Sequence, residues 1–193
     1  MVLNLDKLLT LDSPEVVTDH ARFYCHVPKV APYAYLHTIF NPASPDTLRS
    51  VADELEIPRP WVSFLEIQNG AWLFSGALRL NGVIDPNRLH SRQSNYAEIP
   101  YSPTETSWDH VINLLPEWLG IGDYGFDGSR ILMNRQNAQI QVLDRTGTNA
   151  LAIWNSVEAF LIAELKRIGA LFSPLGECQV DHKFTVPHQE MIF

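Results

Sequence analysis

The chain has 193 residues, of which 46% are hydrophobic and 19% charged, and a chain of this length typically forms one domain whose core needs no metals or disulfides. The formal net charge of −8 is opposite in sign to the basic surface that binds nucleic acid. Cys25 and Cys178 are too far apart for a CxxC pair, and the sequence has neither a signal-peptide pattern nor an apolar run of roughly 18 residues. These features exclude global disorder and predict a cytoplasmic protein with no nucleic-acid or membrane partner.

Start signals that contain proline predict the helices of the N-terminal part. Ser13-Pro14-Glu15 predicts a short helix that runs through His20. Ser44-Pro45-Asp46 predicts a second helix, because apolar residues follow at helical spacing on one face: Leu48, Val51, Ala52 and Leu55. Pro60 predicts the start of a third helix, which the left-handed pair Asn69-Gly70 closes.

An alternating pattern predicts strands in two places. Trp72 and Phe74, then Leu78 and Leu80, favour a hairpin that turns at Ser75-Gly76. Two further strands are predicted at 131–134 and 139–144, joined by a turn at 135–138. The proline-containing connection 81–106 is typical of a functional or poorly ordered loop, and a short helix or turn is predicted around 108–115.

The strongest helical pattern lies near the C-terminus, at about residues 156–172. Asn155 and Glu158 are expected to form a reciprocal cap at its start, and Ser173-Pro174 is expected to stop it. The residues from Cys178 onward are polar and are expected to form a solvated tail.

Two glycine-rich patterns imitate cofactor or metal sites without the required context. The stretch 120–125 has the GxGxxG spelling, with Asp144 downstream as the ribose-binding acid, but a strand follows where a dinucleotide loop needs a helix. The stretch 123–128 imitates half of a calcium loop, yet Gly125 replaces an oxygen ligand at its third position and Asn134 replaces Glu at its twelfth. We therefore expect no cofactor at either pattern.

The C-terminal segment contains residue types that bind zinc: Cys178, Asp181, His182, His188 and Glu190. Their spacing matches no common zinc motif, so the main expectation is that no metal binds. A small metal-dependent hydrolase that uses Cys178, His182 and His188 stays open as a third functional hypothesis. No GxSxG elbow occurs, both cysteines are expected to be buried and unreactive, and the carboxylates of Asp53 and Glu56 are expected to be ordinary surface charge.

Residues 93–129 contain no lysine or arginine, although acidic and aromatic residues occur throughout this segment. An acidic field steers a basic protein towards a surface, and exposed rings then supply desolvated contact. The alternative is that the rings belong to the core and the acids only keep the surface soluble. The candidate partner-binding residues are Glu98, Tyr101, Glu105, Trp108, Asp109, Asp123, Tyr124 and Asp127.

Several short motifs follow one another in a characteristic order: Ile57-Pro58, Trp61, Phe64-Leu65, Asn69-Gly70, a strand containing Phe74, Ile121-Gly122-Asp123-Tyr124-Gly125, the strand Ile140 to Leu143, and Trp154 with Phe160-Leu161. This ordered set resembles the SUKH superfamily, which groups fungal cell-wall-synthesis regulators with bacterial immunity proteins. The resemblance covers about residues 46–172, and it implies a SUKH-like α+β single domain, 1–193, with an N-terminal extension and a C-terminal tail.

The resemblance also implies an antiparallel sheet flanked by helices and a binding function without catalysis. Many bacterial members neutralise toxins, often nucleases. Together with the acidic segment, this predicts a non-catalytic immunity protein that binds a basic, nuclease-type toxin and needs no cofactor. The alternative hypothesis is an intracellular regulatory or scaffold module without a toxin partner.

Overall fold

The computed structural model describes residues 3–27, 35–83, 117–173 and 175–187. Its strands are β1 Val16–Val17, β2 Ala21–His26, β3 Tyr35–Phe40, β4 Ala71–Leu73, β5 Leu78–Leu80, β6 Trp118–Asp123, β7 Arg130–Asn134, β8 Ile140–Leu143 and β9 Ala150–Trp154. Its α-helices are α1 Leu5–Leu8, α2 Pro45–Glu54, α3 Arg59–Leu65 and α4 Val157–Gly169. The nine strands form one sheet in chain order, and neighbouring strands are antiparallel. The fold class is therefore α+β, as predicted.

Helices α2 and α3 confirm two of the predicted start signals. Ser44 is the N-cap of α2, where its side-chain oxygen accepts a hydrogen bond from the Thr47 amide at 3.2 Å, and Pro45 occupies the first turn, where its missing N–H costs nothing. Helix α3 ends at Leu65, before the predicted Asn69-Gly70 stop. Gly70 instead leads into β4 with φ +85°, and a Cβ there would lie 2.4 Å from the Leu80 carbonyl oxygen. Glycine at this position permits a close strand approach.

Both predicted hairpins are confirmed, with one change of detail. Strands β4 and β5 pair Ala71 with Leu80 and Leu73 with Leu78, and β7 pairs with β8. Phe74 does not share a strand face with Trp72, because Phe74 lies in the turn with φ +53°. Ala71 and Leu73 are the buried residues of β4.

The predicted helix from Ser13 to His20 is wrong. Val16 and Val17 form β1 and pair with Phe23 and Arg22 of β2, since β-branched residues favour a pleated surface and the pairing with β2 overrides the proline signal. The segment expected to be an N-terminal extension thus supplies β1, β2 and β3 to the same sheet as the remaining strands.

Helix α4 forms where it was predicted, but it ends at Gly169, before the predicted end near residue 172, and its N-cap lies one residue later than expected. The side-chain oxygen of Ser156, not that of Asn155, accepts a hydrogen bond from the Ala159 amide at 3.1 Å. The predicted apolar stripe is buried at Val157, Phe160, Leu161, Leu165 and Ile168. Among the described residues, no helix has the length and apolarity needed to cross a membrane.

The main core lies between the helices and one face of the sheet. Leu5 of α1, Leu48 of α2, Trp61 and Phe64 of α3, and the stripe of α4 belong to one cluster with buried strand residues. A smaller cluster lies on the opposite face and contains Ala21, Phe23 and Phe40, with Tyr35 and Trp72 packed against it. The sheet therefore carries apolar side chains on both faces.

The prediction of a solvated tail from Cys178 onward is wrong for its described part, residues 178–187. Cys178 forms an isolated β-bridge with Phe172, and His182–Thr185 form a 3-10 helix. Thr185, the last residue of this helix, and Val186, which follows it, are buried at 0% and 1% exposure. Packing of this segment against the core explains why its polar composition did not leave it in solvent.

Candidate functional site

The predicted partner-binding residues divide into two groups in the structure. Residues Glu98, Tyr101, Glu105, Trp108 and Asp109 lie outside the described residues. The predicted short turn or helix at 108–115 and most of the connection 81–106 lie outside them too. Asp123, Tyr124 and Asp127 are described, and the structure gives each of them a different environment.

Tyr124 is a core residue, which corrects its prediction as a partner contact. Its exposure is 0%, and its hydroxyl donates a 2.6 Å hydrogen bond to Glu164 Oε2 on α4. Burial, followed by the neighbouring Glu164 carboxylate, raises the pKa of Tyr124 well above its usual range. A ring enclosed in this way holds β6 against α4 and is not available to a partner.

The Tyr124 contact is part of a buried polar cluster on α4, which we call the Glu164 cluster: Tyr124, Glu164, Arg167 and Thr185. Arg167 forms a two-pronged ion pair with Glu164, at 2.9 Å from Nε to Oε1 and 2.6 Å from Nη2 to Oε2. The Thr185 carbonyl accepts a further hydrogen bond from Arg167. The cluster therefore ties α4 to both β6 and the C-terminal segment, a role that the sequence pattern did not reveal.

Asp123 lies between two arginines, in a cross-strand row of directly opposed residues. It pairs in register with Arg79 of β5 and Arg130 of β7, and Arg79 pairs with Trp72, with its guanidinium 5.9 Å from the ring centre. Burial raises the pKa of Asp123, and the two arginines oppose this shift. Although residues 93–129 are free of bases in sequence, β-pairing places Asp123 beside basic residues, so Asp123 contributes little net negative field.

Asp127 shapes the turn between β6 and β7. Its Oδ1 accepts a hydrogen bond from the Ser129 amide at 2.7 Å, and Gly128 has φ +82°. The glycines of the GxGxxG spelling also have structural roles, because a Cβ on Gly122 would lie 2.2 Å from the Arg79 carbonyl oxygen. A strand follows this turn, as predicted, so the helix that a dinucleotide loop requires is absent at this point of the fold.

The residues considered for metal binding or nucleophilic chemistry do not assemble within the described part of the chain. That part contains no group of three or more His, Cys, Asp or Glu side chains that could hold a metal ion. His188, Glu190 and the side chain of His182 lie outside it. Cys178 is half-buried and its thiol donates to the Val180 carbonyl at 3.4 Å. Cys25 is exposed, contrary to expectation. Partial desolvation of its thiol, followed by the nearby acids Glu15 and Asp12, raises the pKa of Cys25 and so disfavours the reactive thiolate.

A surface groove with charged residues at its edge lies between α2 and α3, and we call it the α2–α3 groove. Its volume is about 560 Å³. Apolar side chains line most of it: Pro42, Ala43, Pro45, Leu48, Ala52, Ile57 and Val62. Arg49, Asp53, Arg59 and Glu66 complete the lining.

The charged residues of the groove lining are two arginines and two acids, and further acids adjoin them in sequence. Arg59 is paired with Glu66 at 2.9 Å, and Arg49 is paired with Asp46 at 3.5 Å. Asp53, Glu54 and Glu56 are exposed, and they form no ion pair within the described ranges. We refer to these three as the α2 acids. Asp53 lines the groove, and Glu54 and Glu56 are close to it in sequence. The guanidinium of Arg135 donates a 2.8 Å hydrogen bond to the Leu55 carbonyl at this end of α2, so three acids stand against one base there.

The sequence carried a signal for this edge. Two of the α2 acids, Asp53 and Glu54, lie in the last turn of α2, which contains no basic residue, although the negative end of the helix dipole favours cations there. Sequence reasoning treated Asp53 and Glu56 as ordinary surface charge.

Comparison of the chain with family models, with curated proteins and with solved structures gives no match.

Proposed function

We propose that this chain is a non-catalytic protein-binding domain of the SUKH type, and that it acts as an immunity protein against a basic, nuclease-type toxin. The observation that carries the proposal is the α2–α3 groove, which combines an apolar floor with an acidic edge. An apolar centre beside charged residues is the usual composition of a protein–protein interface.

The unpaired state of the α2 acids favours a basic partner. Asp53, Glu54 and Glu56 repel one another and the negative end of the α2 dipole, at a cost of a few tenths of a kcal/mol each. Lysine or arginine side chains of a partner would relieve this repulsion on binding. Complementary charge of this kind also raises the association rate, because it steers the encounter before contact.

The apolar floor would supply contact area after the encounter. Pro45, Ala52 and Val62 provide the accessible aliphatic surface, since Leu48 and Ile57 are buried in the core. An apolar side chain of the partner that covered this surface would gain roughly 25 cal/mol per Å² of buried area. The paired Arg59 and Glu66 at the margin would stay partly solvated and contribute little. The surfaces to test are the α2–α3 groove and, separately, the residues predicted from the sequence: Glu98, Tyr101, Glu105, Trp108 and Asp109.

The positions that carry the SUKH resemblance support a binding role through their structural function. Pro58 is the N-cap residue of α3. Asn69 exchanges two hydrogen bonds with the backbone of Val83, at 2.8 Å and 2.7 Å, and Gly122 permits the approach of β5 to β6. These residues maintain the scaffold, which is what a family of binding domains with different partners would retain.

Affinity capture followed by a toxicity assay tests this proposal. The immobilised chain is exposed to lysate of its source organism, bound proteins are eluted with a salt series, and each is identified and expressed alone in a host cell. We expect a basic protein that is released as salt rises, that stops growth when expressed alone, and that no longer does so when this chain is co-expressed.

If the captured proteins are not toxic alone, the immunity proposal is wrong. The regulatory or scaffold module then becomes the preferred function. A toxic partner whose capture does not change between low and high salt would instead contradict the electrostatic part of the proposal.

A further inference from the structure

A second cavity, separate from the α2–α3 groove, lies where α1, β3, the β4–β5 turn and α4 meet. We call it the His37 cavity. Its volume is about 470 Å³, within the roughly 300 to 1,000 Å³ typical of small-molecule sites. Its apolar lining consists of Leu8, Leu9, Phe74, Ile162, Leu165 and Gly169, and its polar lining is His37 and Lys166.

His37 is the unusual member of this lining. The residue is only 4% exposed, its ring meets Phe74 edge-on with ring centres 4.8 Å apart, and its Nδ1 has no hydrogen-bond partner. A buried polar atom without a partner costs roughly 1 to 3 kcal/mol. Nearly all buried polar groups in proteins are paired, so a ligand that occupies the cavity is a physical explanation for this one.

Lys166 supplies the second polar feature. It is exposed on α4, and within the described residues it forms no ion pair. Its ammonium group is therefore free to attract an anion at the mouth of the cavity, while the apolar lining excludes a strongly hydrated one. The combination suits a molecule with a hydrocarbon body and one acidic head.

We infer that the His37 cavity binds a small apolar carboxylic acid, whose hydrocarbon part packs against Phe74 and Leu165 and whose carboxylate reaches Lys166 and the N–H of the His37 imidazole. The site is independent of the toxin-binding proposal, since it shares no residue with the α2–α3 groove.

The test uses sodium decanoate below its micelle concentration, with decyltrimethylammonium as a probe of equal chain length and opposite charge. Titration calorimetry of the full chain is expected to give saturable one-to-one binding of decanoate. The cationic probe is expected to bind at least about tenfold more weakly, because it makes neither polar contact and its positive head group is repelled by the Lys166 ammonium. The ¹⁵N resonances of the His37 ring are expected to move on decanoate binding.

Three variants separate binding from folding. His37→Leu keeps the volume but removes the hydrogen bond, and is expected to weaken decanoate binding by about tenfold. Lys166→Met is expected to weaken it by about threefold, while the matched charge change Lys183→Met leaves it unchanged. Gly169→Leu is expected to abolish binding, because a Cβ at Gly169 already lies 3.5 Å from the Phe74 ring and a longer side chain would fill the cavity.

The unfolding midpoint of each variant shows whether it still folds. No saturable binding of decanoate by the wild-type chain would overturn the inference. Binding that Gly169→Leu leaves intact would also overturn it, because the probe would then lie elsewhere. Neither result would affect the toxin-binding proposal, which depends on a different surface.

Discussion

Two buried polar sites that both include residues of α4 differ in how completely their polar groups are hydrogen-bonded. In the Glu164 cluster, the carboxylate of Glu164 accepts hydrogen bonds from Tyr124 and Arg167. In the His37 cavity, a buried imidazole nitrogen has no partner. Both sites lie beside the main core, so burial alone does not distinguish them. A satisfied cluster serves the fold, whereas an unsatisfied group next to open volume indicates a place for a ligand.

The α2 acids extend the same contrast to the surface. The carboxylate of Glu164 is 1% exposed and paired, whereas Asp53, Glu54 and Glu56 are exposed and unpaired at the end of a helix. The first arrangement stabilises the chain by itself. The second would gain from further positive charge supplied by a partner, beyond that of Arg135 at the end of α2, which is the basis of the binding proposal.

The largest effect is expected from breaking the Glu164 cluster. Glu164→Ala leaves Arg167 and the Tyr124 hydroxyl without their partner, and we expect the free energy of unfolding to fall by about 3 to 5 kcal/mol. Tyr124→Phe removes one hydrogen bond and keeps the ion pair, so it should cost about 1 kcal/mol. Denaturant unfolding of both variants measures the difference. Equal losses for the two would show that the ion pair is not the stabilising element.

The next effect is a pH dependence that belongs to His37. Burial lowers the pKa of His37 from 6.5 to about 4, so between these values the unfolded chain binds a proton that the folded chain does not. The neutral, buried His37 therefore leaves the free energy of unfolding at its full value above pH 6.5. As the pH falls from 6.5 towards 4, protonation of His37 in the unfolded chain lowers that free energy by about 3 kcal/mol in total.

The His37 contribution can be isolated by difference, because carboxylates also titrate at low pH. The free energy of unfolding is measured from pH 7 to pH 4 for the wild-type chain and for His37→Leu. In His37→Leu, the free energy of unfolding is expected to fall less between pH 6.5 and pH 4 than in the wild-type chain. In the exposed control His26→Gln, it is expected to fall as in the wild type. Identical pH profiles for wild type and His37→Leu would contradict the assignment.

The smallest effect on stability is expected at the α2 acids. Asp53→Asn with Glu54→Gln removes two negative charges from the end of α2, and we expect a gain of about 0.5 kcal/mol. The matched control Asp12→Asn with Asp19→Asn changes the charge equally at exposed positions outside the helices and should leave stability unchanged. Thermal unfolding at low salt compares the two pairs. A loss of stability in the α2 variant would show that these acids have local partners.

The elements that could be predicted from the sequence are those whose signals are local. Helix α2 follows from Ser44-Pro45 and its apolar spacing, and α4 follows from its stripe. Strand β1 was missed because its pairing with β2 is a tertiary contact that competes with a local proline signal. The cap of α4 was placed one residue early, since Asn155 and Ser156 are both good caps and only backbone geometry distinguishes them.

The candidate partner-binding residues were harder to predict, because their environments depend on residues that are distant in sequence. Tyr124 looked like a surface anchor, but it is buried and its hydroxyl is paired with Glu164, forty positions further along the chain. Asp123 looked acidic and isolated until the register placed Arg79 and Arg130 beside it. The pattern of the α2 acids is local and visible in the sequence, but the α2–α3 groove near them forms only through tertiary packing.

The central claim is that the acidic edge of the α2–α3 groove steers a basic partner into contact, and the association rate tests it most directly. The basic protein obtained by affinity capture is mixed with the wild-type chain, with Asp53→Asn/Glu54→Gln, and with the control Asp12→Asn/Asp19→Asn, in a stopped-flow instrument over a range of salt concentrations. We predict that the α2 variant associates several-fold more slowly at low salt and has a flatter salt dependence, while the control behaves as wild type. Equal rates for all three chains at low salt would contradict the claim.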